Sequence, residues 1–362
     1  MKIICLGTAS CYPTSNRSVS CTAVRFEDGT VWIFDCGEGA QIQLQKSPVR
    51  PSRITKIFIT HLHGDHLFGL PGLMCTLANM VPDRNDFTLE IYGPQGLRKF
   101  IRDTLILSRS ALTYNYVVHE LIPIAEQYPE DWNTWPADNL ATGSLHPQEK
   151  QGKDITATND LTWNVFDGQN VCVKAGALMH SIPSFGYVIA EQDEPGKLDA
   201  EYLKQLGVPP GPLYSRIKNG EAITLPSGKA LDPLKVLGPP KRGRKITILG
   251  DTSDSFRMVD LAQSSDIILH EATLENSMEE KAIDMGHSTP KMAAQYAEKV
   301  GARVLMLYHF SQRYKTVLVN DTDLCVDTLL KEAQHELSTR NCPCKVFLAQ
   351  DLMEVSVPRP SS

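Results

Sequence analysis

Four side chains that can bind metal, three imidazoles and one carboxylate, fall within six consecutive residues, His61-Leu62-His63-Gly64-Asp65-His66. An apolar run precedes them, and the pattern predicts a strand over 56–60 and a helix over 66–80. Residues two apart on an extended segment point the same way, so His61 and His63 can bind one ion. Asp65 and His66 follow the turn and face the same space from its other side. A single tetrahedral zinc site does not use all four groups, whereas two ions sharing them would, and paired ions commonly hydrolyse phosphoesters.

Histidines also cluster by chance or lie on a surface without metal, and a lone HxH pair would usually be read that way. Three further metal-type residues each follow an apolar run: His180 after 171–179, Asp251 after 245–250 and His309 after 303–308. Any one of them alone would be interpreted more simply as a residue at the end of a strand that forms a hydrogen bond to a loop. Their repeated placement at the carboxyl ends of strands, where α/β sheets build their sites, favours a shared metal centre.

Several motifs occur in a fixed order along the chain: Leu6-Gly7-Thr8-Ala9-Ser10, Phe34-Asp35-Cys36-Gly37-Glu38-Gly39, the HxHxDH stretch, Gly250-Asp251-Thr252, His270-Glu271-Ala272-Thr273, Gly286-His287-Ser288-Thr289 and His309-Phe310-Ser311-Gln312-Arg313-Tyr314. HxHxDH alone is typical of the metallo-β-lactamase superfamily. With the other motifs, the chain resembles the short-form tRNA 3′-processing endonucleases, the tRNase Z family. The resemblance runs from the N-terminus to the last strands.

Strand-like and helix-like segments alternate, which indicates an α/β protein. The predicted strands include 88–93, 245–251, 266–272 and 303–309, and the predicted helices are 94–108, 275–285, 288–300 and 322–337. The resemblance implies a metallo-β-lactamase αββα sandwich, in which two packed sheets are flanked by helices. We expect one such domain over 1–362, with an arm inserted at 192–243.

The predicted arm is rich in Gly and Pro and is basic. Residues 196–245 contain ten Lys and Arg against four Asp and Glu, although the whole chain carries a net charge of −6. Charge alone is equally consistent with a solvated loop. The resemblance favours a flexible arm that binds the RNA phosphate backbone as an exosite, since such binding is dominated by Lys and Arg.

The resemblance also implies two Zn²⁺ per subunit. His61, His63 and His180 would bind one ion, and Asp65, His66 and His309 the other. Asp251 would bridge both, because a carboxylate has one oxygen for each ion. These ions would ionise the water between them, and Asp65 would orient that water and accept its proton.

Two further residues are predicted to act on the leaving group. His287 would protonate the departing 3′-oxygen, with Glu271 accepting the other N–H of its imidazole. A helix-start histidine bonded to its own loop is the alternative for His287. The expected reaction removes the 3′ trailer of precursor tRNA after the discriminator nucleotide and leaves a 3′-hydroxyl.

Substrate contacts are expected from the first loop and from the segment after His309. The weaker candidates are Ser10, Thr14, Arg17 and Arg313. Ordinary turn chemistry is the alternative for the loop residues, since Ser and Thr are common in turns. The resemblance further suggests a homodimer in which the arm of one subunit serves the site of the other.

Composition places the chain outside the membrane and secreted classes. The apolar N-terminus turns at Gly7, which is too short for a signal sequence, and no run reaches the length of a membrane span. Nine cysteines without framework spacing suit a reducing compartment. We expect a cytoplasmic protein, with the nucleus as a second location.

Three other interpretations share part of this pattern. Another hydrolase of the fold, such as a glyoxalase II-like thioesterase, a lactonase or a general phosphodiesterase, would need HxHxDH and the bridging Asp. It would not need the HEAT and GHST motifs together with the basic segment. A catalytically inert RNA-binding relative would be expected to lack a ligand, and a structural zinc protein would have closed, Cys-rich coordination.

Overall fold

The structure is a computed structural model that describes residues 1–80, 84–134, 144–225, 227–316 and 324–359. The chain divides into two compact units. Unit 1 comprises 1–167, 173–189 and 245–357, and unit 2 comprises 168–172, 190–244 and the C-terminal residues from 358. No helix among the described residues is both long and apolar enough to cross a membrane.

The strands of the described chain are β1 (Lys2–Gly7), β2 (Cys21–Arg25), β3 (Val31–Phe34), β4 (Ile54–Phe58), β5 (Arg84–Pro94), β6 (Tyr114–Leu121), β7 (Glu149–Lys150), β8 (Asp154–Ile155), β9 (Thr162–Asp167), β10 (Val171–Leu178), β11 (Ser184–Glu191), β12 (Ile223–Thr224), β13 (Ala230–Leu231), β14 (Lys245–Leu249), β15 (Ile267–Glu271), β16 (Val304–Tyr308), β17 (Tyr314–Lys315), β18 (Leu324–Cys325), β19 (Lys345–Leu348) and β20 (Glu354–Ser356). The α-helices are α1 (Ala40–Lys46), α2 (Gly64–Leu67), α3 (Leu70–Met80), α4 (Leu97–Leu107), α5 (Ala200–Gln205), α6 (Pro212–Lys218), α7 (Val259–Ala262), α8 (Glu279–Asp284), α9 (Pro290–Lys299) and α10 (Asp327–Thr339).

Two large sheets form the frame of the protein. The first has the strand order β20-β1-β2-β3-β4-β5-β6-β7, with β8 paired to β6, and the second has the order β19-β16-β15-β14-β11-β10-β9. Strands β14, β15, β16 and β19 are parallel, so their carboxyl ends lie at one edge. The residues that follow β14, β15 and β16 therefore emerge side by side.

Aromatic side chains fill the space between the two sheets. Phe58 on β4 stacks on Phe34 of β3 and on Tyr92 of β5, with ring centroids 4.8 and 5.0 Å apart. Tyr187 of β11 lies edge-on to Phe34 and Phe58, and its hydroxyl donates to the Ile59 carbonyl at 2.7 Å. The hydrogen bond satisfies the one polar atom that this ring brings into the core.

Helices cover the outer faces of both sheets. Helices α1, α3 and α4 contribute Leu44, Leu73 and Ile101 to a core shared with the first sheet. Helices α9 and α10 contribute Ala297 and Leu329 to a separate core shared with the second. The expected αββα arrangement of two packed sheets flanked by helices is confirmed.

The predicted helix over 66–80 is in fact two helices, α2 and α3. The Gly69 N–H donates to the Cys36 carbonyl at 2.9 Å and so does not continue α2. A Cβ atom at Gly69 would lie 2.0 Å from the Gly37 carbonyl oxygen, so this close approach requires glycine. The break holds the end of α2 against the segment after β3.

Other boundaries shift by a few residues. The predicted strand 56–60 is β4, which ends at Phe58, and the predicted helix 275–285 is a 3₁₀ turn followed by α8. Helix α9 is capped by the Thr289 side chain, which accepts from the Met292 N–H, and starts at Pro290. The start of the helix predicted over 322–337 lies partly outside the described residues, and α10 extends from Asp327.

Unit 2 has its own hydrophobic core. Seven buried apolar residues form it, at positions Leu203, Val208, Ile217, Ile223, Leu225, Leu231 and Val236. The short helices α5 and α6 and the hairpin β12–β13 surround this core. A partly buried ion pair also lies in this unit, where Nη2 of the buried Arg244 is 2.6 Å from Glu191 Oε1.

Candidate active site

The HxHxDH stretch links β4 to α2. His61 lies three residues beyond the end of β4, and His63 occupies the N-cap position of α2 in extended conformation. Asp65 then falls in the first turn of the helix, beside His66. The two-residue spacing and the helix start together turn all four side chains toward one space.

His61, His63 and His180 form the first cluster. His180 comes from the segment after β10, and its Nε2 lies 3.1 Å from His63 Nδ1. Its other ring nitrogen, Nδ1, lies 2.7 Å from the Gly286 carbonyl. Because a carbonyl only accepts, this Nδ1 carries the proton and Nε2 presents a lone pair to the cluster.

Asp65, His66, Asp251 and His309 form the second cluster. Asp251 follows β14 and His309 follows β16, at the shared edge of the parallel strands. His309 Nε2 lies 3.2 Å from both His66 Nε2 and Asp251 Oδ2, and 3.3 Å from Asp65 Oδ2. His309 has a φ of 60°, a left-handed conformation that is uncommon outside glycine and typical of residues held for function.

Asp251 lies between the two clusters. Its Oδ1 is 3.3 Å from His66 Nε2, and its Oδ2 is 3.7 Å from His61 Nε2 and 4.0 Å from His180 Nε2. Its side chain is 2 % exposed. One carboxylate therefore faces imidazoles of both groups.

The donor set fits a pair of metal ions. His61 Nε2 and Asp251 Oδ1 are buried and have no hydrogen-bond partner in the described chain. Buried polar atoms are rarely left unpaired, and two ring nitrogens that face each other at 3.1 Å need a proton or a cation between them. Imidazole nitrogens with carboxylate oxygens are typical ligands of zinc sites that keep an open position.

Burial and neighbouring charges set the protonation of these groups. Burial lowers the pKa of His61 well below its usual value, and burial with the neighbouring His180 lowers the pKa of His63 to about 4. Burial would raise the pKa of Asp251, but the imidazoles of His309 and His66 outweigh it and hold that pKa well below its usual range. The neutral imidazoles of His61 and His63 and the ionised carboxylate of Asp251 are the forms that bind metal. Burial would lower the pKa of His66, but the Asp251, Asp65 and Asp35 carboxylates raise it well above its usual value.

His287 and Glu271 form a pair beside the second cluster. His287 Nδ1 lies 3.1 Å from Glu271 Oε1 and 3.7 Å from Asp251 Oδ2. Burial alone would lower the pKa of His287, but the Glu271 and Asp251 carboxylates raise it to about 9. Glu271 also accepts the Thr252 N–H at 2.7 Å, which fixes the carboxylate that orients His287.

Supporting residues that sequence analysis had not assigned a role lie behind the ligands. Asp35 Oδ2 lies 2.7 Å from His66 Nδ1, and Asp35 Oδ1 accepts the Thr60 N–H at 2.7 Å. Asp35 also has a positive φ of 58°. Its place directly after strand β3, in the motif Phe34-Asp35-Cys36-Gly37, was the one available signal.

The first loop reaches the site through its backbone. The Cys11 N–H donates to Asp65 Oδ2 at 2.7 Å. Gln312 holds this loop, since its Nε2 donates to the carbonyls of Ser10 and, at 3.1 Å, Tyr12. A cavity of about 520 Å³ opens here, between the loop, the HxHxDH turn and the GHST segment, and its lining includes Cys11, Asp65, His180, Asp251 and His287.

The four weaker substrate candidates differ in their surroundings. Thr14 and Arg313 are exposed, and Ser10 is buried. The Arg17 guanidinium is also buried and donates to Thr8 Oγ1 at 2.7 Å, the Ala349 carbonyl at 3.0 Å and Thr316 Oγ1 at 3.0 Å. These contacts support the first loop from inside, and substrate binding by any of the four stays a prediction.

The basic residues of unit 2 are mostly exposed. Lys197, Lys218 and Lys241 line one cavity of about 430 Å³ with Glu194 and Tyr214. Of the ten Lys and Arg of residues 196–245, Lys245 is half-buried and belongs to unit 1, and Arg244 is the one that is buried, where it contacts Glu191. It therefore stabilises this unit and is withdrawn from any surface that binds a phosphate.

Comparison with known proteins gives matches over the whole chain. "Zinc phosphodiesterase ELAC protein 1" from Homo sapiens is 46% identical over 99% of this chain and 99% of its own length. "Ribonuclease Z" from Brevibacillus brevis is 36% identical over 100% of this chain and 98% of its own length. The family model "Anti-Pycsar protein Apyc1" matches residues 1–108.

Comparison with solved structures identifies proteins with a similar fold. The crystal structure of human tRNase Z, short form, covers 99% of this chain and 100% of its own, with a TM-score of 0.68 and 36% identity. The metallo-β-lactamase fold protein YhfI from Bacillus subtilis covers 98% of both chains, with a TM-score of 0.56 and 14% identity.

The two packed sheets and the histidine and carboxylate clusters at their edge define a metallo-β-lactamase-fold, metal-dependent hydrolase. Within that class, the chain matches a zinc phosphodiesterase and the short form of human tRNase Z along their full lengths. The chain belongs to the tRNase Z family, whose members include the zinc phosphodiesterase and ribonuclease Z relatives above.

Proposed function

We propose that this protein is a zinc-dependent endoribonuclease that removes the 3′ trailer from precursor tRNA. Cleavage would fall after the discriminator nucleotide and leave a 3′-hydroxyl on the tRNA. The main support is the convergence of seven ligand-type side chains, with the His287–Glu271 pair beside them, in a chain that matches ribonuclease Z relatives along its whole length.

Two zinc ions per subunit fit the donor set. His61, His63 and His180 would bind one, Asp65, His66 and His309 the other, and Asp251 would contact both. Bound zinc would supply the Lewis acidity that ionises a water near neutral pH and balances charge on the phosphate. Metal analysis of the purified protein should give about two ions per chain, and a single tightly bound ion would contradict this allocation.

Asp65 is the residue that would orient the attacking water and accept its proton. The Cys11 N–H fixes one oxygen of its carboxylate. Burial favours the neutral acid, but the nearby His66 and His309 imidazoles lower the pKa of Asp65, so the carboxylate is ionised and able to accept. Asp65 is partly exposed in the cavity, where a substrate phosphate can reach it.

His287 would protonate the leaving 3′-oxygen. Its Nδ1 faces Glu271, which leaves Nε2 as the atom available to substrate. Its imidazole is one of the side chains that line the cavity, whereas Glu271 is fully buried. Glu271 therefore acts through His287 and does not contact the RNA.

The basic surface of unit 2 would bind the tRNA body. Its exposed lysines lie around a cavity of about 430 Å³ and can contact several phosphates at once. We further propose a homodimer in which residues 192–243 of one subunit serve the other subunit's site. Mixing an arm-deleted chain with an Asp251→Ala chain tests this. The first chain keeps an intact site and the second an intact arm, so cleavage returns only if the arm of one subunit serves the site of the other.

A precursor tRNA with a 3′ trailer tests the function directly. The expected products are a tRNA with a 3′-hydroxyl at the discriminator and a trailer with a 5′-phosphate, and a chelator should abolish both. A thioester and bis(p-nitrophenyl) phosphate complete the substrate panel. Rapid thioester hydrolysis with intact precursor tRNA would overturn the proposal. A cytoplasmic or nuclear location is a separate expectation, which imaging of a tagged chain would check.

A further inference from the structure

Two buried threonines make a similar pair of contacts, one beside a ligand of each cluster. Thr60 Oγ1 lies 2.9 Å from Asp35 Oδ2 and 3.0 Å from His61 Nδ1. Thr273 Oγ1 lies 2.5 Å from Glu271 Oε2 and 3.0 Å from His309 Nδ1. Each hydroxyl therefore stands between a carboxylate and the ring nitrogen that faces away from the ligand clusters.

A hydroxyl has one proton to donate, and a carboxylate can only accept. Asp35 receives three donors, the Thr60 N–H, the Thr60 hydroxyl and His66 Nδ1. Glu271 likewise receives the Thr252 N–H and the Thr273 hydroxyl, with His287 Nδ1 at 3.1 Å. The Thr273 hydroxyl also lies 3.0 Å from the His309 carbonyl oxygen, a more distant and neutral acceptor. Both threonine protons thus point to carboxylates, where the hydrogen bond is charge-assisted and strongest.

The remaining lone pairs of each hydroxyl face an imidazole. His61 and His309 then satisfy the contact only by carrying their proton on Nδ1. The lone pair of each ring is then on Nε2, the atom that points into the ligand clusters. His61 Nε2 is buried and has no hydrogen-bond partner in the described chain. His309 Nε2 lies 3.2 Å from Asp251 Oδ2. The opposite tautomer would present an N–H to the ion.

We propose that Thr60 and Thr273 are positioning residues that hold His61 and His309 in the metal-binding tautomer, one threonine for each cluster. A ring whose second nitrogen is held by a hydrogen bond keeps both its tautomer and its orientation, and losing such a partner typically weakens metal binding by about 10- to 100-fold. The inference rests on the proposed zinc ions but not on the RNA substrate.

The two threonines differ in what else their carboxylate holds. Asp35 also contacts His66, which belongs to the second cluster. Glu271 also orients His287, the proposed proton donor. Removal of the Thr273 hydroxyl should therefore affect both zinc affinity and leaving-group protonation, whereas removal of the Thr60 hydroxyl should affect zinc affinity alone.

The matched substitutions are Thr→Val, which keeps the shape and removes the hydroxyl, and Thr→Ser, which keeps the hydroxyl. Zinc affinity of the full-length protein is measured by competition with a chromophoric chelator, with no RNA present. Thr60→Val and Thr273→Val are each expected to weaken the binding of one zinc ion by about 10- to 100-fold. The serine variants should weaken it by less than about threefold. Equal behaviour of Val and Ser, or parental affinity in both valine variants, would overturn the proposal.

A second measurement needs no substitution. Long-range ¹⁵N–¹H NMR of the zinc-loaded parent protein reports which ring nitrogen of each histidine carries the proton. His61 and His309 are expected in the Nδ1–H form, and a dominant Nε2–H form of either would refute the assignment for that residue. Because both readouts omit RNA, a parent protein that fails to cut precursor tRNA would count against the proposed function and leave this inference standing.

Discussion

The two regions with proposed functions hold their charged groups in opposite ways. In unit 1, His61, Asp251 and His309 are almost fully buried, and their polar atoms lie within 4.0 Å of other charged or ring groups. In unit 2, Lys197, Lys218 and Lys241 are exposed around an open cavity. The function proposed for the first region depends on the position of each atom. The function proposed for the second depends on its total positive charge.

The difference follows from the dielectric environment. Electrostatic interactions are strong in a buried site, and a buried group that loses its partner carries a large penalty. Exposed cations are screened by salt within about 10 Å, and each contributes a similar, modest amount to phosphate binding. Single substitutions should therefore be severe in the first region and graded in the second.

The largest effect is expected at Asp251. Asp251→Ala removes the one carboxylate that faces both clusters and leaves His66 and His309 without their shared partner. Cleavage of precursor tRNA should fall by more than about 1000-fold, together with the loss of bound zinc. Asp254→Ala, an exposed carboxylate three residues away, is the control. If Asp251→Ala keeps full activity and still binds two ions, single substitutions in the buried region are not severe, and the contrast with the exposed region is wrong.

His287→Ala should produce the next largest loss, about 10²- to 10⁴-fold in kcat on precursor tRNA, with zinc content unchanged. The loss should be much smaller on bis(p-nitrophenyl) phosphate, because nitrophenolate leaves without a proton. His335→Ala, at an exposed histidine, is the control. Equal losses on both substrates would argue that His287 shapes the site and does not donate a proton.

The combined change of Lys197, Lys218 and Lys241 to Ala tests the exposed region. It should raise KM for precursor tRNA by about 10- to 100-fold, reduce the salt dependence of binding by roughly three in the log–log slope, and spare bis(p-nitrophenyl) phosphate. A matched triple change at the exposed Lys299, Lys331 and Lys345 should have little effect. If both triple variants bind alike, net charge and not this surface controls affinity.

Two arginines of unit 2 provide the smallest and most local test. Arg216 and Glu221 form an exposed ion pair, so Arg216→Ala should change the free energy of unfolding by less than about 1 kcal/mol. Arg244→Ala would leave Glu191 without its buried partner and should cost about 3 kcal/mol. Denaturant unfolding compares the two, and equal costs would contradict the assignment of Arg244 to a structural role.

Sequence analysis was most informative where a local pattern encodes a local structure. The apolar runs predicted strands over 245–251 and 303–309, and these strands are present as β14 and β16, which end just before Asp251 and His309. It missed the break between α2 and α3, because the Gly69 N–H bonds to Cys36, a residue distant in sequence. It also counted Arg244 among the ten cations of the basic segment and could not separate it from them, since burial depends on the partner Glu191 and not on residue type.

By itself, the sequence determined the chemical types of the ligands, their order along the chain and their placement at the ends of strands, because periodicity and residue chemistry are short-range properties. Only the tertiary structure decided that His61 and His309 meet across one site and that Asp251 lies between their clusters. It also decided that Thr60 and Thr273 each join a ring to a carboxylate. Such contacts depend on how the sheets pair and pack, and that packing is a property of the whole chain.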